Sequence, residues 1–155
     1  MTLIEFLPVF FATGFAIQLS LIDIREMRIP NRILFPALLI STTLILVAGF
    51  IMGDLYRSLI AFAGGFLSIT IFFCIHLLRP KGLGMGDVKF AGLIGLTLSW
   101  ISFPSGLIGL GLAFIFSSIF SISIFVVRRK SFKKVLPFAP FMLLGLFSVE
   151  LGLFI

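Results

Sequence analysis

GLGMGDVKFAGLIGLTLSWI, residues 82–101, sets three glycines and an aspartate directly against an apolar run from Val88 to Ile101. The run is shorter than the roughly 20 apolar residues that cross a bilayer core about 30 Å thick. A helix start at Gly84 or Gly86 would lengthen it. Five longer apolar runs surround it: Leu3–Ile22, Ile33–Gly53, Leu59–Leu78, Ser105–Val127 and Pro137–Ile155. All are continuous and lack the period-2 alternation of a membrane β-barrel. The expected fold is therefore all-α: a polytopic membrane protein of about six transmembrane helices, forming a single domain over residues 1–155 with no separate soluble domain.

Composition agrees. Soluble domains carry about a quarter charged residues. Here 12% of 155 residues are charged, 60% are hydrophobic and the mean hydropathy is +1.27. The 21 Phe against a single Tyr suit an apolar surrounding. No Lys or Arg precedes the first run, so the first segment is expected to stay as a helix and not to act as a secretory signal peptide. The lone Cys74 excludes an internal disulfide and a multi-cysteine metal site.

The net charge of +6 does not point to nucleic acid, because the basic residues are placed by topology. Arg25, Arg28 and Arg32 follow the first run. Arg79, Lys81 and Lys89 lie around the start of the fourth. Arg128, Arg129, Lys130, Lys133 and Lys134 lie between the fifth and sixth. Only Arg57 falls in an opposite loop. The positive-inside rule then places the chain in the cytoplasmic (inner) membrane with these three loops in the cytoplasm and both termini outward.

The same topology sorts the six acids. Asp54 falls in an outward loop. Glu5 lies near the outer end of the first helix and can snorkel outward. Glu150 lies thirteen residues past Pro137, about 20 Å across the bilayer at a helical rise, where a structural role is expected. Asp23, in LIDIREMRIPN, and Asp87, in GLGMGDVK, remain. They come from different helices but share the cytoplasmic depth. Two carboxylates held close cannot both ionise comfortably and can share a proton. One can then act as base toward a water and the other as acid toward a carbonyl or leaving amine. The opposing reading is that acids mark helix ends, and an Asp at a helix start is a common N-cap. Gly84 and Gly86 favour chemistry, since glycine lets another chain approach closely, and a peptide bond must leave its helix to be hydrolysed.

GMGD at 84–87 resembles the GxGD motif of intramembrane aspartyl proteases, and Val88 and Lys89 extend it to GxGDVK. Together with Asp23, Ile29, Pro30 and Asn31 in DIREMRIPN, and with PFAPF at 137–141, the chain resembles the type IV prepilin peptidase family. The third motif resembles that family's PFGPF-like segment, with Ala139 in place of the usual glycine. The resemblance implies a membrane aspartyl endopeptidase. It would remove the short basic leader from prepilins or pseudopilins at the cytoplasmic face, usually after a glycine. Asp23 and Asp87 would be the catalytic pair, working with water and without metal or cofactor. Gly84 and Gly86 would shape the substrate approach, and Lys89 is carried over as a third substrate-side residue. Bifunctional members carry a large domain between the first two helices and also methylate the new N-terminus. Here that loop spans ten residues, 23–32, so no methyltransferase activity is expected. The compact chain is similar to the short peptidases of tight-adherence pilus systems.

A basic leader should not be drawn to loops with eleven basic residues against Asp23, Glu26 and Asp87. Anionic lipid can hold both, so substrate affinity is expected to come from apolar helix packing in the bilayer. A rival class, a small transporter or ion-conducting bundle with the two acids as cation or proton ligands, also suits intramembrane acids and glycine-broken helices. It predicts acids near the midplane and gives no reason for IPN and GxGDVK to occur together. A non-catalytic scaffold would tolerate Asp→Asn at both positions. His76, near the cytoplasmic end of the third run, reads as a helix-end or packing residue, and Trp100 as a membrane anchor at the outer interface.

Overall fold

The computed structural model describes residues 3–78, 82–128 and 137–152. Arg79, Lys81, Arg129, Lys130, Lys133, Lys134 and the last residues of the sixth expected helix lie outside them. The described residues form six helices and no strand: α1 (Leu3–Glu26), α2 (Asn31–Ile51), α3 (Leu55–Leu78), α4 (Met85–Ile101), α5 (Phe103–Arg128) and α6 (Ala139–Gly152). Four of them, α1, α2, α3 and α5, are long and apolar enough to cross a membrane, and α6 is a shorter apolar helix.

The fourth helix resolves the ambiguity of its sequence. At 17 residues it is about 25 Å long. It packs against all five other helices, and every residue from Phe90 to Trp100 is buried. It meets protein on all sides, so its length need not match the lipid core.

Small residues allow this. Along the α3–α4 crossing, a methyl group added at Gly95 would stand 3.1 Å from the Gly64 carbonyl oxygen, and one at Gly65 would stand 3.3 Å from that of Gly92. On the other flank, a methyl at Gly106 of α5 would stand 3.0 Å from the Gly95 carbonyl oxygen. Backbones approach this closely only where side chains are missing.

Several helices begin earlier than the apolar runs suggest, because polar residues take part in helix ends. The first helix continues past Ile22 to Glu26, so Asp23 lies inside its last turn. Met27 follows at φ 54°, a left-handed conformation that ends the helix, and its N–H donates to the Asp23 carbonyl at 2.9 Å. Four residues, 27–30, then lead to α2. The third helix starts at Leu55 instead of Leu59, with the Asp54 carboxylate accepting the Arg57 N–H at 3.0 Å. The fourth starts at Met85, so Asp87 is its third residue and not its N-cap. A single residue, Ser102, separates α4 from α5.

The end of the bundle away from Asp23 is held by polar contacts. Arg57 Nη1 pairs with Glu5 Oε1 at 3.0 Å, and its Nε donates to the Trp100 carbonyl at 2.8 Å. Its guanidinium lies 4.5 Å from the centre of the Trp100 ring. The indole N–H donates to the Glu5 carbonyl at 3.1 Å. Trp100 is fully buried, which corrects its reading as an interfacial anchor. Its position near a run's end gave its end of the bundle, but α4 is central, so the ring faces protein. Glu150 accepts a hydrogen bond from Thr13 at 2.6 Å, tying α6 to α1.

Seating α4 by backbone contact leads to a contrast between two glycines. Gly95→Val should lower the stability of the purified protein by about 1–3 kcal/mol. Gly14→Ala, where an added methyl meets nothing within 4 Å, should leave it within about 0.5 kcal/mol of wild type or slightly above. Thermal unfolding in lipid or detergent reads both. Equal stability of the Gly95 variant and wild type would show that the crossing tolerates bulk.

Candidate active site

The three sequence motifs meet at one end of the bundle. Asp23 is 5% exposed, and its Oδ2 accepts the Ala139 N–H at 3.1 Å. The Phe138 N–H bonds to the same carboxylate. These are the first donors of α6, which have no partners within their own helix. Asp23 of α1 therefore caps α6, where the positive end of the helix dipole favours an anion. One turn back, the Ser20 hydroxyl donates to the Ala139 carbonyl at 3.1 Å and fixes the same crossing.

Asp87 uses the end of its own helix. Its Oδ2 accepts the N–H of Gly84, the N-cap residue of α4, at 3.0 Å. This is one half of a capping box; glycine has no side chain to supply the other. The Asp87 carboxylate is half-buried and within electrostatic reach of Asp23. Thus two carboxylates from separate helices are each held by helix N-terminal N–H groups at the same end of the bundle.

The glycines flanking Met85 differ in their surroundings. Gly86 lies against the α1–α2 connection, where an added methyl would come 2.9 Å from Ile29 Cβ. Gly84 is exposed, and its nearest neighbour to an added methyl is Asp87 Oδ2 at 3.3 Å. Lys89 Nζ donates to Asn31 Oδ1 at 3.0 Å and sits 4.9 Å from the centre of the Phe35 ring. Gly86 and Lys89 thus meet Ile29, Asn31 and Phe35 of the same chain, joining the GMGDVK and IPN segments. Beside them opens a cavity of about 520 Å³ lined by Glu26, Arg28, Pro30, Asn31 and Arg32. Glu26 is paired there with Arg28 at 3.0 Å. Among the described residues, no group of three or more His, Cys, Asp or Glu side chains could hold a metal.

Two contributors were not assigned from sequence. Asn31 was visible only as part of a motif, with no sign that its amide meets Lys89, 58 residues away. The Phe138 and Ala139 N–H groups leave no trace in residue type, since every residue except proline carries that donor.

The family model of the type IV leader peptidase family matches residues 10–127. The PFAPF segment lies beyond the matched part. Two similar proteins are described as prepilin leader peptidase/N-methyltransferase. The one from Aeromonas salmonicida (strain A449) is 28% identical over 132 residues, and the one from Aeromonas hydrophila is 27% identical over 132 residues. Each alignment covers 84% of this chain and 44% of the relative, so the chain spans less than half the length of these curated relatives. No solved structure gives a significant match.

The Lys89–Asn31 contact is open to a double-mutant cycle. Lys89→Met and Asn31→Leu, singly and together, should show a coupling of about 0.5–1 kcal/mol in thermal unfolding. Strictly additive effects would mean that this contact does not fasten the loop to α4.

Proposed function

The chain belongs to the type IV leader peptidase family, and from that premise we propose that it removes the basic leader peptide from a prepilin or pseudopilin, with Asp23 and Asp87 as its catalytic pair. The observation that carries this reading is the meeting of the three motif segments at one end of the bundle, with Asp23 on the Ala139 N–H, Gly86 against Ile29 and Lys89 on Asn31.

In this mechanism the pair holds one proton between its two carboxyl groups. The ionised member takes a proton from a water, whose oxygen bonds to the scissile carbonyl carbon. The protonated member gives its proton to the carbonyl oxygen. The resulting diol collapses as the amide nitrogen is protonated and the C–N bond breaks, which releases the leader acid and a new N-terminal amine. The backbone N–H groups from Ala139 and Gly84 keep both carboxylates oriented through these exchanges. Gly84, exposed beside Asp87, leaves room for an extended substrate backbone, with Gly86 and Lys89 completing that side.

The distribution of Arg and Lys supports a cytoplasmic site in the inner membrane with both termini outward. Glu26, the acid of the neighbouring cavity, is already paired with Arg28, which leaves little acidic surface for a basic leader. Substrate affinity then comes from apolar packing in the bilayer, with anionic lipid holding the leader's charges. The four residues joining α1 and α2 support peptidase activity without N-methylation.

Asp23→Asn and Asp87→Asn should each reduce leader removal from a co-expressed prepilin, read by mass, by at least about a hundredfold, with the fold retained in the membrane. Asp54→Asn should cleave like wild type, since asparagine caps a helix as well as aspartate. Substantial cleavage by either of the first two variants would refute the pair. If the folded wild type cleaves no candidate prepilin, ion flux through reconstituted protein becomes the measurement that favours the transporter reading.

A further inference from the structure

His76 stands in the last turn of α3 and takes no part in the mechanism above. Its Nδ1 lies 2.7 Å from the Leu83 carbonyl oxygen. A carbonyl only accepts, so Nδ1 carries the hydrogen, and the tautomer is fixed. That oxygen and the Gly84 N–H belong to the same peptide group, the one joining residues 83 and 84. The Gly84 N–H in turn donates to Asp87 Oδ2 at 3.0 Å. The imidazole, the peptide and the carboxylate therefore form one line of hydrogen bonds.

The peptide group transmits along this line. Its C–N bond has partial double-bond character. Donation to its oxygen draws electron density from its nitrogen and makes the N–H a stronger donor, the cooperative effect of hydrogen-bond chains. Leu83 is buried at 6% exposure, which limits competing water. The ring is steadied by stacking on Phe73, with centroids 6.5 Å apart and planes 28° apart.

We infer that His76 is a positioning residue for Asp87, acting through the Leu83–Gly84 peptide group to aim and strengthen the N–H that holds Oδ2. The inference rests on the catalytic reading of Asp87 above. Among the described residues, the charged group bearing on Asp87 is Asp23, from α1; Lys89, two residues along its own helix, is engaged with Asn31. The imidazole itself bonds to the Leu83 carbonyl and stacks on Phe73, so a change at His76 reaches the carboxylate through the peptide.

The test is the pH–rate profile of leader cleavage by the full-length protein in lipid, at saturating prepilin, for wild type, His76→Asn, His76→Leu, His76→Gln and Asp87→Asn. The asparagine amide can place an N–H where Nδ1 stands; leucine has no donor, and the glutamine amide sits one carbon too far. A weaker Gly84 N–H holds the ionised forms of the pair less well. Both limbs of the profile should therefore move to higher pH in His76→Leu, by roughly 0.2–0.5 unit, with a several-fold loss at the optimum. His76→Asn should keep the wild-type position, and His76→Gln should move with leucine. If the leucine variant fails to fold, the glutamine variant takes its place in the comparison. A helix-end role alone would reduce folded protein and leave the profile where it was. An unmoved profile in the donor-less variant, or an equal shift in His76→Asn, overturns the inference while cleavage still depends on Asp87. Cleavage by Asp87→Asn removes the catalytic reading and this inference together.

Discussion

Backbone-to-backbone contact between α3 and α4, at Gly64, Gly65, Gly92 and Gly95, is the constraint on which the other features depend. It draws the shortest of the first five helices into the middle of the bundle. Once α4 is central, its first turn must face the ends of α1, α2 and α6, and its last residues must face the start of α1 and α3. The site at one end and the Arg57–Glu5–Trp100 cluster at the other are both consequences of where this one helix sits. Apolar burial alone would not have chosen the position, since side chains in lipid lose little by staying in lipid.

The two ends are fastened differently. At the far end, Arg57 joins α3 to α1 and α4 through a partly buried ion pair, a backbone carbonyl and an aromatic face. A guanidinium in that setting has little freedom. At the Asp23 end, the fastening runs through backbone N–H groups and through Gly86 and Lys89 against the α1–α2 connection, and Gly84 and Met85 stay exposed. The bundle is thus pinned at one end and presents reachable backbone beside a carboxylate at the other.

Position along the bundle was legible in the sequence, and direction around the helix axis was not. Continuous apolar runs gave six helices, and basic residues sorted the acids by end, so Asp23 and Asp87 were expected at one end of the bundle. Trp100 shows the limit. Its place at the end of a run gave the right end of the bundle, but only the packing of α4 among five neighbours turned the ring inward. The starts of α2 and α3 lie two and four residues before the expected ones, because residues 31–32 and 55–58 read as loop, whereas Met85 falls between the Gly84 and Gly86 starts expected for α4. Polar side chains at helix starts serve the free N–H groups there, so hydropathy ends before the helix does. The partners of the site residues were hidden for a different reason. Lys89 meets Asn31 and Asp23 meets Ala139 across long stretches of chain, and backbone donors carry no residue code at all.

The capping of α6 by Asp23 also sets an order of assembly. The carboxylate and its Ala139 donor are 116 residues apart, so a growing chain carries Asp23 in α1 long before the ribosome has made the helix end that holds it. Until α6 docks, the acid lacks both backbone donors and the wall that shields it from water. The bonded setting of Asp23 is therefore among the last things this chain acquires during biogenesis, and a nascent or truncated copy lacking its sixth helix would hold Asp23 without the bonds that orient it.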